Sequence, residues 1–188
     1  MAEHALPRAG HHHEHAHHPG EGGCAHAQDH AARGPAALAE AESACAARGL
    51  RLTPIRRQVL NALYATHRPM SAYDLIDRLA AEGGAKRLAP ITVYRALDFL
   101  LENGFVHKLE SRNAFIACPF HHAPGDLVVF MICEECGGVD EAVSDELRGA
   151  LSHLAAAQGF RPSANVIELA GCCAHCGEPA HAPPAGRA

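Results

Sequence analysis

The chain beyond residue 36 has the apolar periodicity of short amphipathic helices. An alanine-rich stretch at residues 38–48 predicts a first helix, which Gly49 ends. Thr53-Pro54 predicts the start of a second helix, because the threonine hydroxyl can serve as an N-cap and proline lacks an N–H where none is needed. Residues 1–35 show no apolar period, which predicts a disordered, His-rich tail.

Two further helices precede a pair of strands. Ser71 and Asp74 have the spacing of a capping box, which predicts the start of a third helix, and a fourth begins at Pro90. Residues 105–110 and 113–118 then read as two short strands around a polar turn. The last three of these helices, followed by the two-stranded ribbon, have the layout of a winged helix-turn-helix. In that fold the last helix enters the major groove of DNA.

The fourth helix separates its apolar and polar residues onto two sides. At about 100° per residue, Val93 and Leu97 lie on one side, and Tyr94 and Arg95 lie on the other. A guanidinium can fork onto guanine and a phenol ring can contact a thymine methyl, so Tyr94 and Arg95 are candidate base-reading residues. An ordinary amphipathic helix with solvated charges would give the same pattern.

The second half of the chain predicts a small α/β unit. A helix over residues 144–158 turns Leu147, Leu151 and Leu154 inward. We expect three strands around it, at residues 127–132, 138–143 and 163–169.

The predicted fold class is therefore α+β, with two domains joined by a linker. The expected divisions are a disordered His-rich tail (1–35), a winged-helix DNA-binding domain (36–119), a linker (120–126), an α/β domain (127–180) and a disordered tail (181–188).

Charge supports a nucleic-acid partner for the first domain. The whole chain has a net charge of −5, yet residues 48–112 hold 11 Lys/Arg against 6 Asp/Glu. A polyanion should therefore dock on the winged-helix segment. No apolar run approaches the length of a membrane span, and the N-terminus lacks the apolar centre of a secretion signal, so we expect a cytoplasmic protein without membrane association.

Eight cysteines and 16 histidines make metal binding the natural expectation. Two C-x-x-C pairs, each followed by glycine, can supply four thiolates to a tetrahedral structural zinc site. Redox chemistry is the competing interpretation, but it requires an exposed low-pKa thiol at a helix N-terminus, and neither pair precedes an obvious helix. The four residues are Cys133, Cys136, Cys173 and Cys176.

A looser set of donors brackets the junction of the two domains. A metal bound there would tie one domain to the other, as a ligand-controlled hinge requires. For each residue alone, an ordinary surface or hydrogen-bonded polar group is the favoured interpretation, but the set taken together favours a metal site. The set comprises His107, Cys118, His121, His122, Asp126 and Glu141.

The sequence resembles the ferric uptake regulator superfamily over about residues 38–178. The resemblance implies a homodimeric repressor that binds double-stranded operator DNA when zinc-loaded and represses zinc-uptake genes. It implies one structural and one regulatory zinc ion per subunit, an α/β domain that dimerises, and neither an enzymatic activity nor a small-molecule substrate. The motifs that carry it are Arg51-Leu52-Thr53-Pro54, Ser71-Ala72-Tyr73-Asp74-Leu75, the run from Thr92 to Lys108, the first C-x-x-C-G and Asn165-Val166-Ile167-Glu168.

The resemblance also assigns roles to individual residues. The four paired cysteines match the structural zinc ligands, and His107, Cys118 and Glu141 match three regulatory ligands. Tyr94 and Arg95 match the base-reading pair, and we add Thr92 beside them as a DNA-binding residue.

The fourth regulatory ligand departs from the family pattern. In the superfamily it is a histidine eight residues after the equivalent of Cys118, a position that is Asp126 here. Either Asp126 coordinates, or His121 or His122 does. We assign His122, because an imidazole suits zinc beside a thiolate better than a second carboxylate would.

Three other functions compete with this interpretation. Another sensor of the same superfamily would respond to iron, manganese, nickel or peroxide. A zinc hydrolase or deaminase would need an open metal position with a general acid or base, and outside the low-complexity His-rich tail the sequence has no H-E-x-x-H motif. A zinc store or chaperone could use the histidine cluster of the tail, which comprises His11, His12, His13, His15, His17 and His18.

Overall fold

The computed structural model describes residues 25–82, 88–118, 126–162, 165–174 and 176, with side chains from residue 32 onward. The N-terminal part consists of helices α1 (Ala25–Ala47), α2 (Pro54–Tyr64), α3 (Ala72–Glu82) and α4 (Pro90–Glu102) and strands β1 (Val106–Leu109) and β2 (Ala114–Ala117). The C-terminal part consists of strands β3 (Val128–Cys133) and β4 (Val139–Val143), helix α5 (Asp145–Ala157) and strand β5 (Ile167–Gly171).

Helix α1 begins earlier than the sequence predicted. It starts at Ala25 and includes Pro35, so it takes in residues assigned to the disordered tail. Alanine is frequent in this stretch and favours helix. The helix also packs closely on α2, since a Cβ on Gly34 would lie 3.1 Å from the carbonyl oxygen of Tyr64. Residues 1–24, with the histidine cluster and Cys24, and residues 177–188 lie outside the described residues.

Helices α2, α3 and α4 form the predicted helical core. Leu60, Leu75, Leu97 and Leu100 are among its fully buried side chains. The capping box at the start of α3 is confirmed: the Ser71 N–H donates to Asp74 Oδ2 at 3.0 Å, and the Asp74 N–H donates to Ser71 Oγ at 3.1 Å. The predicted hydroxyl cap of α2 is wrong, because Thr53 occupies the N-cap position without a side-chain capping bond.

The two sheets meet at a small apolar cluster. Strands β1 and β2 form an antiparallel ribbon, the wing, and strands β4, β3 and β5 form a sheet in that order. Strand β3 pairs antiparallel with β4 and parallel with β5. Leu109 and Ile116 of the wing pack with Phe130, Ile132 and Val139 of the sheet, so this cluster is a direct contact between the wing and the C-terminal part.

The predicted inward face of α5 is wrong for Leu154, which is 59% exposed. Leu147 and Leu151 are half-buried, and no residue of the helix is fully buried. On the sheet, Leu169 is 54% exposed. In the part of the chain that the structure describes, no further element packs over these apolar side chains. Among the same residues, no helix is both long enough and apolar enough to cross a bilayer.

Candidate metal centres and nucleic-acid interface

The four paired cysteines come together at one end of the three-stranded sheet. Their Sγ atoms all lie within 4.8 Å of one another. Cys133 ends β3, and Cys173 follows β5, which runs parallel to β3 with Gly171 opposite Cys133. The parallel register therefore brings together two pairs that are distant in sequence. We call this set (Cys133, Cys136, Cys173 and Cys176) the four-cysteine centre.

Backbone hydrogen bonds shape the four-cysteine centre. The Gly138 N–H donates to Cys136 Sγ at 3.3 Å, and the Cys173 N–H donates to Cys133 Sγ at 3.4 Å. Burial opposes ionisation of Cys133, but hydrogen bonds from the backbone outweigh it and lower the pKa of this thiol to about 6. Four sulfurs at these distances suit a tetrahedral soft metal ion, which makes zinc a good fit.

A second cluster lies where the wing meets the sheet. It combines His107 on β1, Cys118 directly after β2 and Glu141 on β4, with their donor atoms within 4.8 Å of one another. Glu141 Oε2 lies 3.5 Å from Cys118 Sγ and 3.9 Å from His107 Nε2. The Glu141 side chain is only 3% exposed and that of His107 22%. We call these three residues the mixed-donor centre.

Residues of both domains support the mixed-donor centre. The buried Tyr64 hydroxyl donates to the carbonyl oxygen of Cys118 at 3.0 Å. Burial, followed by the nearby charges of Cys118 and Glu141, raises the pKa of Tyr64 above its usual value, so it stays a donor. The Phe130 ring packs on the His107 imidazole with 5.1 Å between centroids. These contacts orient the donors as outer partners do in metal sites.

The donor types of the mixed-donor centre fit zinc. An imidazole nitrogen, a thiolate sulfur and a carboxylate oxygen are all zinc ligands, and three of them leave one tetrahedral position. Asp126 does not join the described donors; its Oδ1 lies 3.8 Å from Arg148 Nη1. His121 and His122 lie outside the described residues, so the assignment of His122 stays a prediction.

The predicted DNA-reading residues lie on the outer side of α4. Tyr94 is 39% exposed and Arg95 is exposed, whereas Val93 and Leu97 are buried, as the helical wheel predicted. Thr92, at the start of the helix, is half-buried. Tyr94 also lines a groove with Tyr73 of α3 and Lys108 of the wing.

Sequence reasoning missed Tyr64 and Phe130, which contact the mixed-donor centre, and Tyr73, which lines the groove beside Tyr94. Tyr64 and Phe130 read as ordinary core residues in the apolar pattern, and Tyr73 as part of a family motif. Only Tyr64 carried a usable signal, because a buried tyrosine hydroxyl requires a partner. The pattern could not identify that partner.

The structure combines a winged helix-turn-helix with a small α/β domain, and one cluster of metal donors draws residues from both. This combination is that of a metal-dependent transcription regulator. Residues 47–170 match the model of the family described as "Ferric uptake regulator family". This chain belongs to that family.

Several relatives are similar over most of the chain. This chain is 47% identical to the "Zinc uptake regulation protein" of Escherichia coli (strain K12) over 142 residues, which cover 75% of this chain and 81% of that protein. A solved structure described as "Zinc Uptake Regulator Complexed With Zinc AND DNA" has a TM-score of 0.68 at 46% identity, with 75% of this chain and 93% of that chain covered. Another, described as "Crystal structure of holo XcZur", has a TM-score of 0.64 at 45% identity, with 73% of this chain and 94% of that chain covered.

Proposed function

We propose that this protein is a zinc-responsive repressor that binds operator DNA as a zinc-loaded homodimer and represses zinc-uptake genes in the cytoplasm. The mixed-donor centre carries the proposal, because His107 lies on the wing and Cys118 directly after it, while Glu141 belongs to the sheet. A ligand bound by all three residues therefore constrains the DNA-reading domain against the rest of the molecule. Similarity to proteins named for zinc uptake regulation, one of them solved with zinc and DNA, supports the choice of metal.

Each subunit has two proposed zinc sites with different tasks. The four-cysteine centre is the structural site, since four thiolates leave no open position. The mixed-donor centre, completed by His122, is the regulatory site. The thiolate of Cys118 favours zinc over iron there, because zinc accepts mixed nitrogen, sulfur and oxygen donors without redox cycling.

The mechanism is a shift in the population of domain orientations. Without the regulatory metal, the winged-helix domain (36–119) samples several orientations relative to the α/β domain (127–180). Binding at donors from both domains selects one of them. In a dimer, the selected orientation presents two α4 helices with the spacing of two operator half-sites.

A second copy of the chain would cover the exposed apolar side chains of α5 and β5. Leu154 and Leu169 are too exposed for core residues of a finished assembly, and burial of such side chains drives association. We therefore propose that the α/β domain is the dimerisation domain.

A mobility-shift titration against buffered free zinc tests the proposed function. We expect operator binding to rise with zinc while the four-cysteine centre stays filled throughout. The salt concentration is held fixed, because phosphate contacts make the affinity strongly salt-dependent. Equal binding with and without regulatory zinc would refute the proposal, and a stronger response to iron, manganese or nickel would favour another sensor of the family.

Arg95→Ala tests the DNA-reading role of α4. We expect the variant to lose about 1 to 3 kcal/mol of affinity for the operator and to discriminate less at the base that Arg95 contacts. Affinity for random DNA should change little. Glu102→Ala, on the same exposed side but at the other end of α4, is the control. Equal losses on operator and random DNA would make Arg95 a phosphate contact.

A further inference from the structure

The carboxylate of Glu168 connects β5 to the wing. It accepts hydrogen bonds from the backbone N–H of Glu110 at 2.6 Å and from the backbone N–H of Ser111 at 3.2 Å. Glu110 and Ser111 lie in the turn between β1 and β2, more than 50 residues from Glu168 in sequence. One side chain of the sheet thus binds two adjacent donors of the DNA-binding domain.

Glu168 shares a cross-strand row with the mixed-donor centre. Phe130 on β3 pairs with Glu141 on one side and with Glu168 on the other. Directly paired residues point to the same face of a sheet. Glu141, the Phe130 ring that packs on His107, and Glu168 therefore face the wing together, although Glu168 is not one of the clustered donors.

The Glu168 carboxylate is held in its charged form. Partial burial opposes ionisation, but hydrogen bonds from Ser111 and Glu110 and the charge of Arg112 outweigh it and lower the pKa of Glu168. Hydrogen bonds to an ionised acceptor are about twice as strong as neutral ones.

Arg68 makes a second contact between the two domains. Its Nε donates to the carbonyl oxygen of Cys136 at 2.7 Å. Its side chain also packs on Gly137, where a Cβ would lie 3.4 Å from Arg68 Cγ. This contact ends at the four-cysteine centre, so it stays available when the mixed-donor centre is empty.

We propose that Glu168 is a positioning residue, a clasp that holds the wing in the orientation in which the mixed-donor centre is assembled and thereby sets the zinc concentration at which the protein binds DNA. The inference rests on the proposed function and adds a determinant of its set-point. It assigns Glu168 no contact with zinc or DNA.

The physical reason is that the clasp acts before the metal binds. A ligand that binds only one conformation has an apparent affinity reduced by the fraction of molecules in that conformation. Loss of two charge-assisted hydrogen bonds lowers this fraction. The contact made by Arg68 persists, so the response should shift to higher zinc and not vanish.

The first test measures the clasp directly by amide hydrogen exchange at Glu110 and Ser111, with the four-cysteine centre filled and free zinc too low to fill the mixed-donor centre. In the unmodified chain we expect protection of both amides. In Glu168→Ala we expect exchange to be faster by about tenfold. Glu110→Ala is the matched control, because it removes a carboxylate from the same turn and keeps both backbone donors.

The second test measures the zinc midpoint, which is the free zinc concentration at which operator binding is half-maximal. We expect Glu168→Ala to raise this midpoint by about three- to tenfold, with full operator affinity regained at saturating zinc. Glu168→Gln, which keeps neutral acceptor oxygens, should give an intermediate midpoint, and Glu110→Ala should leave it unchanged. Any partial loss of folding in Glu168→Ala would appear as reduced operator affinity at saturating zinc. In that case the zinc midpoint of Glu168→Gln decides whether the clasp exists.

The clasp is refuted if the two amides are equally protected in the unmodified chain and in both Glu168 variants. It is also refuted if the midpoint does not move in either of them. Failure of the proposed function looks different, since the unmodified chain would then bind operator independently of zinc while the amide exchange still reported the clasp.

Discussion

Cys173→Ser is expected to remove the ordered C-terminal domain along with its metal. The four-cysteine centre joins the ends of β3 and β5, and the apolar cluster beside it is small. Structural zinc sites in small peptides contribute about 10 to 16 kcal/mol at neutral pH, so the loss of one thiolate removes much of the free energy that holds this part of the chain folded. Operator binding should disappear at every zinc concentration.

The measurement combines zinc content with thermal unfolding and oligomeric state. Cys172→Ser is the matched control, because Cys172 is an exposed neighbour outside the four-cysteine cluster. We expect Cys172→Ser to keep its tightly bound zinc and its unfolding transition. The reverse result, in which Cys172→Ser loses the metal and Cys173→Ser keeps it, would exchange the assignment of these two residues.

Cys118→Ser should uncouple DNA binding from zinc while the fold persists. Cys118 Sγ is the soft donor of the mixed-donor centre and is fully buried. Loss of an outer partner of a metal ligand typically costs about 10- to 100-fold in affinity, so loss of the thiolate should raise the zinc midpoint of operator binding by more than about 100-fold. The four-cysteine centre lies elsewhere and should retain its metal.

The same zinc-buffer titration checks this expectation. Cys45→Ser is the control, since it makes the same change at a buried cysteine of α1 that belongs to neither donor cluster. It should lower the thermal stability and leave the zinc midpoint in place. A Cys118→Ser protein with an unchanged operator response would remove Cys118 from the regulatory site.

Much of the fold follows from local features of the sequence. Helices α2 to α4 were predicted because their apolar periods, the Ser71–Asp74 box and a proline at each of two starts are signals within a few residues. The exposure of Tyr94 and Arg95 followed from helical geometry alone. The gathering of the four cysteines followed from their paired spacing.

The rest depends on contacts that no local pattern encodes. The inward orientation predicted for Leu154 failed because an apolar helix face does not tell whether its own chain or another copy covers it. The start of α1 was missed because residues 25–35 show no apolar period, which was the basis for assigning them to the tail. Glu168 and Arg68 are polar residues whose partners lie more than 50 positions away, so neither stood out as a contact between domains.

Strand β3 connects the two candidate metal centres. Its last residue, Cys133, is part of one, and the ring of Phe130, on the same strand, rests against His107 of the other. Under the proposed function, this strand would have to be folded at the four-cysteine end before the other donors could assemble, so the architectural ion would enter a newly synthesised chain ahead of the signalling one.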